Sequence, residues 1–114
     1  MIPALICVPV GFYRAKYISK WISSYNEQLP LSLWGITVQN EPEASQPWES
    51  CVYTAADQSS FVAQQLGPTL RADHPELKIL AFDHNKDDLV IWADQMMGAQ
   101  SASAPFVDGM AFHW

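Results

Sequence analysis

The residues best suited to chemistry fall in three short polar clusters, each closing an apolar run. Asn40-Glu41-Pro42 follows Leu33-Trp-Gly-Ile-Thr-Val-Gln39, Asp83-His84-Asn85 follows Lys78-Ile-Leu-Ala-Phe82, and His113-Trp114 follows Val107-Asp-Gly-Met-Ala-Phe112. Each run has the length and the β-branched or aromatic content of one strand. As parallel neighbours, the three strands would bring their carboxyl ends to one edge, where open α/β sheets and α/β barrels place their active sites. Cleavage of a glycosidic bond needs a carboxyl that protonates the leaving oxygen and a second carboxylate as nucleophile or base. Glu41 is the candidate donor, provided its surroundings favour the protonated form, as the like charge of Asp83 or of a carboxylate from elsewhere would. Asn40 suits a hydrogen bond to a sugar hydroxyl, and Trp48, Tyr53 and Trp114 offer faces on which a pyranose ring can stack.

Each of these residues also has a plain structural use. Loop carboxylates are commonly solvated; His113 serves equally as a hydrogen-bonded structural residue; Asp83 and Asn85 suit the start of a helix; Trp48 suits a loop anchor. Trp21, Trp34 and Trp92 are assigned to the core. Glu43 and Glu49 read as loop acids, so the sequence offers no second catalytic carboxylate.

The elements that must position these clusters alternate. From Arg14 to about Gln28, Ile18, Trp21, Ile22, Tyr25 and Leu29 recur at helical spacing, and Pro30 ends the pattern. The strand to Glu41 is expected to be buried, with Pro42 ending its ladder and biasing Glu41 toward an extended backbone. A long loop carries Trp48 and Tyr53 to Thr54, which with Asp57 forms a capping-box-like helix start. Phe61, Val62, Leu66 and Leu70 give that helix its buried stripe, and Gly67-Pro68 predicts a kink or break. A third helix is expected from Asp87 or Asp88, burying some of Leu89, Ile91, Trp92, Met96 and Met97 and stopping at Gly98. Strand and helix alternation of this kind is the rhythm of successive βα units.

With 114 residues the chain holds at most one domain, and a hydrophobic fraction of 49% is ample for a core. No apolar run is long enough to span a bilayer. A net charge of −6, with no basic stripe, argues against nucleic acid as a partner. Cys7 and Cys51 belong to no CxxC pair or Cys/His ligand cluster; a zinc site on them is not expected, and free buried thiols are. Residues 1–13, broken by Pro3, Pro9 and Gly11, read as a leader or short strand without signal-peptide features, leaving 14–114 as the folded domain.

Taken together, Trp34-Gly-Ile-Thr-Val-Gln-Asn-Glu-Pro42, Trp48-Glu-Ser-Cys51, Leu66-Gly-Pro-Thr-Leu70, Phe82-Asp-His-Asn85 and Phe112-His-Trp114 resemble the glucosylceramidases of glycoside hydrolase family 30, from about Ala15 to Trp114. The resemblance implies a (β/α)8 TIM barrel, of which this chain would supply about strands 4 to 6 with their helices. It implies retaining hydrolysis of a β-glucosidic bond in a carbohydrate or glycolipid, with no metal or organic cofactor, in a secreted or lysosome-like setting. Glu41 inherits the general acid/base role, Asn40 the contact to the hydroxyl beside the anomeric carbon, and Asp83, His113 and Trp114 positions lining the glycone pocket. The family's nucleophile, a glutamate ending the seventh strand, has no counterpart here. A partial chain is therefore expected, poorly folded and catalytically silent by itself. Two other readings are open: a non-catalytic sugar-binding remnant of the same fold, and a flavodoxin-like module, which would need a Gly-rich phosphate loop that the sequence lacks.

Overall fold

The computed structural model describes Leu5–Ile6 and residues 11–114. Most of the leader expected over residues 1–13 lies outside them. Its described parts form a strand, β1 (Leu5–Ile6), and the start of helix α1 (Gly11–Gln28), which begins at Gly11 rather than Arg14. After β2 (Gly35–Thr37) and β3 (Cys51–Val52), helix α2 (Ala55–Phe61) runs through a π-helical turn (Val62–Leu66) into α3 (Gly67–Asp73). Strand β4 (Lys78–His84), a 3-10 turn (Lys86–Asp88), α4 (Leu89–Met97) and β5 (Gly109–Phe112) complete the chain. Among the described residues all the pairings are parallel: β1 with β3, and a three-stranded sheet in the order β2-β4-β5. The expected α/β class and parallel order are present.

The central strand carries the core. Ile79, Ala81 and Phe82 of β4 are buried against Phe61, Val62, Leu66, Leu70, Trp92 and Met96 of the helices. Strand β2, expected to be buried, is half-buried instead, because it pairs with β4 on one side only among the described residues. Its ladder runs on past both ends, since Lys78 N–H donates to Trp34 O (2.9 Å) and Val38 N–H to Leu80 O (3.0 Å).

The start of α2 follows its local signal: Thr54 Oγ1 accepts from Asp57 N–H (3.1 Å) and its hydroxyl donates to Asp57 Oδ2 (2.7 Å). The break expected at Gly67-Pro68 takes the form of the π turn. Pro68 has no N–H to continue the ladder, and Gly67 N–H reaches back to Val62 O, one residue further than an α-helix would. Gly67 is required there, because a Cβ would come within 2.4 Å of the Phe106 ring.

Helix α1 corrects the sequence expectation. Its buried stripe is Gly11, Ala15, Ser19 and Ile22, so small residues let it sit close to α3 and the π turn. Trp21 is 47% exposed, tilted against Tyr25 on the outer face, and Leu29 is exposed as well. Trp34, also assigned to the core, is 70% exposed because it precedes the one-sided edge strand; Trp92, at 1%, is in the core as expected. Cys51 is disulfide-bonded, against the expectation of a free thiol; Cys7 lies outside the described residues.

A polar staple closes the end of the sheet opposite the candidate site. Asp108 accepts from Arg71 (2.6 Å) and from Ile79 N–H (2.9 Å), with Lys78 Nζ at 3.7 Å. Partial burial works against the charged carboxylate, but those donors and cations outweigh it and hold the Asp108 pKa below its ordinary 3.8. A depressed folded-state pKa stabilises above the unfolded value and loses that contribution as pH falls through the folded one. Chemical denaturation of Asp108→Asn is therefore expected to show lower stability than the parent at pH 7 and a flatter decline below about pH 4. Parallel profiles for the two proteins would remove the staple from the account.

Candidate active site

Glu41 does not adopt the extended backbone expected before Pro42. Its φ is 48°, in the left-handed region that non-glycine residues rarely occupy. The conformation is held from both sides: Glu41 N–H donates to Asp83 O (2.9 Å), and Ala44 N–H donates to Glu41 O (3.0 Å), turning the chain tightly around buried Pro42. Tyr53 N–H donates to Pro42 O (2.8 Å), so the far end of the long loop returns to the same turn. The turn bond and the two long-range bonds together override the local bias of the Glu-Pro dipeptide.

Asp83 is placed by a β-bulge. Phe82 pairs with Ala111 and His84 with Phe112, leaving Asp83 as the extra residue. Phe82 and Asp83 take φ values of 74° and 62°. Gln58, fully buried on α2, supports the bulge by accepting from Phe82 N–H (3.2 Å). Left-handed backbone at non-glycine residues costs on the order of 1–3 kcal/mol each and tends to gather at functional sites.

The carboxyl ends of β2, β4 and β5 meet through one imidazole. His113 Nε2 lies 3.4 Å from Glu41 Oε1, and its Nδ1 lies 3.3 Å from Asp83 Oδ1. Three protonation states satisfy both contacts. An imidazolium donates to both carboxylates, a neutral ring donates from Nδ1 and accepts at Nε2 from a protonated Glu41, or a neutral ring donates from Nε2 and accepts at Nδ1 from a protonated Asp83. Thr37 donates to Asp83 Oδ2 (2.7 Å), and Gln46 Nε2 reaches Glu41 Oε2 at 3.4 Å.

Glu41 also lines a cavity of about 220 Å³ with Asn40, Gln46, Trp48 and Glu49. Glu41, Asp83 and His113 thus touch one another, and Asn40 and Trp48 share the Glu41 cavity. Trp114 packs edge-on against His113, with ring centroids 5.9 Å apart, and is otherwise exposed. Asn85 is exposed at the start of the 3-10 turn and caps nothing with its side chain. Tyr53, a candidate stacking face, is buried; burial raises its pKa, Arg14 opposes the shift and Asp57 adds to it.

Several neighbours were missed in the sequence. Thr37, at strand spacing before Gln39 and Glu41, was open to a period-two reading. Glu43, read as a loop acid, accepts from Trp92 Nε1 (2.9 Å) and lies 3.9 Å from His84 Nε2. Arg14 carried no signal: it donates to Gln39 Oε1 (2.7 Å) and Tyr53 OH (2.8 Å), contacts Cys51 Sγ (3.0 Å), and lies over the Tyr53 ring. It ties Gln39, the residue before the turn, to Tyr53, whose N–H holds the Pro42 carbonyl.

Known proteins share this arrangement of strands and helices. Residues 12–114 match the glycosyl hydrolase family 30 TIM-barrel domain. The chain belongs to that family. It is 31% identical over 104 residues to the lysosomal acid glucosylceramidase of Mus musculus, an alignment covering 88% of this chain and 20% of the mouse protein. Among solved structures, SrfJ from Salmonella typhimurium is 33% identical with a TM-score of 0.81, over 91% of this chain and 23% of SrfJ. An endo-β1,6-glucanase is 27% identical with a TM-score of 0.80, over 90% of this chain and 23% of its own. The chain spans about a fifth of the length of the glucosylceramidases that it matches.

The Thr37–Asp83 bond is open to direct test. Thr37→Val keeps the strand-forming shape but removes a donor to a carboxylate, an interaction worth about 1.5–3 kcal/mol. Denaturation is expected to show a loss of that order, largely recovered in Thr37→Ser. A Val variant as stable as the parent would separate Thr37 from the positioning of Asp83.

Proposed function

We propose that this chain carries the acid/base half of a retaining β-glycosidase site, with Glu41 as the proton donor to the glycosidic oxygen. The observation that carries the reading is the position of His113 between Glu41 and Asp83 at the ends of three parallel strands. One of the three protonation states compatible with that geometry puts the proton on Glu41, as a general acid requires. After the leaving group departs, Glu41 takes a proton from the incoming water. Asn40 binds the hydroxyl next to the anomeric carbon, Trp48 and Trp114 supply aromatic walls, and Asp83 and His113 line the glycone side while fixing the Glu41 carboxyl. Asn85 stands at the edge of this group as a further substrate contact. β2, β4 and β5 correspond to strands 4 to 6 of the barrel, and the folded domain takes in the whole of α1, running from Gly11 to Trp114.

The nucleophile is a second carboxylate from outside these 114 residues, and the chain alone is catalytically silent. The substrate is a β-glucoside of the glucosylceramide kind, a reading supported by the name of the mouse relative. The same name supports a lysosome-like or secreted setting, and so does the disulfide at Cys51, a bond that persists mainly in oxidising compartments. Among the described residues no helix is long and apolar enough to cross a membrane.

The test uses a complete barrel in which residues 12–114 replace the matching segment of a relative. Glu41→Gln is expected to slow hydrolysis of glucosides with poor leaving groups by about 10²–10⁴-fold, the usual contribution of a positioned acid. Activated aryl glucosides, whose leaving groups need no proton, should lose far less in the glycosylation step. An equal loss on both substrates would remove Glu41 from the acid/base role.

A further inference from the structure

The group around Glu41 contains more nitrogen than proton delivery requires. Glu41, His84 and His113 each present a ligand atom, and all three atoms lie within 4.8 Å of one another. We propose that these residues form a site for a borderline divalent cation of the Zn²⁺ class, which on binding occupies the proton donor and reversibly blocks hydrolysis. The inhibitory consequence rests on the acid/base reading of Glu41; the binding site itself does not.

Three features support the site. First, Glu41 Oε1 and His113 Nε2 are 3.4 Å apart. Two ligands held about 2.0–2.1 Å from a tetrahedral zinc ion are themselves separated by about 3.4 Å, so this pair already has the right edge length. The ion would take the place of the proton the two groups share. Second, His113 is backed by a carboxylate, with Nδ1 lying 3.3 Å from Asp83 Oδ1. A carboxylate behind a histidine favours the tautomer that leaves Nε2 free to ligate and orients the ring.

Third, His84 is anchored beside the group with binding capacity unspent. Its Nδ1 has no hydrogen-bond partner among the described residues, and its Nε2 lies 3.9 Å from Glu43 Oε2. The side chains of Glu41, His84 and His113 keep 29%, 16% and 29% of their exposure, enough for an ion to enter. Two imidazoles and one carboxylate suit zinc, copper or nickel and not magnesium or calcium, which prefer oxygen. Three protein ligands leave a fourth position for water.

The sequence contains its own control. It has three histidines, and the third, His74, sits against Ser19 on the opposite side of the core, outside the group. Zinc binding to the full chain is measured by calorimetry, with Co²⁺ absorption reporting coordination geometry and circular dichroism reporting the fold. Expected are one zinc per chain and tetrahedral Co²⁺ bands. His84→Gln and His113→Gln should each weaken binding by more than the about 10–100-fold typical of losing an outer-shell partner, and Asp83→Asn by about that amount. His74→Gln should bind like the parent.

The same titration in the barrel carrying residues 12–114 reads inhibition of glucoside hydrolysis, reversed by chelator. Absence of zinc binding in both proteins, or binding that survives loss of His84 and His113 in folded variants, would overturn the proposal. Zinc that binds as expected in a barrel indifferent to Glu41→Gln would leave the site standing and take down the acid/base reading instead.

Discussion

One backbone hydrogen bond organises the rim of this chain: Glu41 N–H to Asp83 O, at 2.9 Å. It joins the residue just beyond β2 to the bulged residue of β4, and it does so only because both are left-handed. With Phe82 and Trp114, they place four non-glycine residues at φ values of 48° to 74° along one sheet edge. Relaxing Glu41, Phe82 or Asp83 toward ordinary backbone would turn its side chain and carbonyl away from the others. The strain, on the order of 1–3 kcal/mol per residue, persists because the surroundings fix each group. Gln58 satisfies the Phe82 N–H, Thr37 holds the Asp83 carboxylate, and Tyr53, itself held by Arg14, donates its N–H to the Pro42 carbonyl.

The consequence is chemical. A carboxyl on a relaxed loop would sample many positions and share its proton with water. Here the Glu41 carboxyl has a fixed neighbour at each oxygen, Gln46 on one and His113 on the other. The same imidazole reports to Asp83, so the ends of all three sheet strands are coupled through a single ring. TIM barrels carry their chemistry at the carboxyl ends of the strands, and that is where this chain holds the Glu41 carboxyl in place.

Much of this was legible in the sequence where the signal was local. Thr54 and Asp57 marked a helix start, and the Phe61, Val62, Leu66 and Leu70 stripe marked its buried face. Polar residues closing three apolar runs marked the shared rim, and Gly67-Pro68 marked an irregularity, though not that it would be resolved by a π turn. Signals that depend on tertiary packing were not legible. The apolar spacing of α1 found Ile22 and Ile18 but also put Trp21 and Leu29 on the buried face, where close approach to α3 and the π turn selects the small residues Gly11, Ala15 and Ser19 instead. Glu41 turned left-handed against the bias of Pro42, since hydrogen bonds to residues 44 and 83 outweigh a local preference. Arg14 is 25 positions from Gln39 and 39 from Tyr53, and no spacing rule connects them.

The central claim is that Glu41 is the acid/base and not the nucleophile, and the stereochemistry of an azide adduct tests it most directly. When the acid/base carboxylate of a retaining enzyme is removed, a small anion can enter the face it guarded and capture the glycosyl-enzyme intermediate. In the barrel carrying residues 12–114, Glu41→Ala with an activated aryl β-glucoside and azide is expected to recover rate and release the β-glucosyl azide. Formation of the α-glucosyl azide, or a rate that azide does not change, would contradict the account.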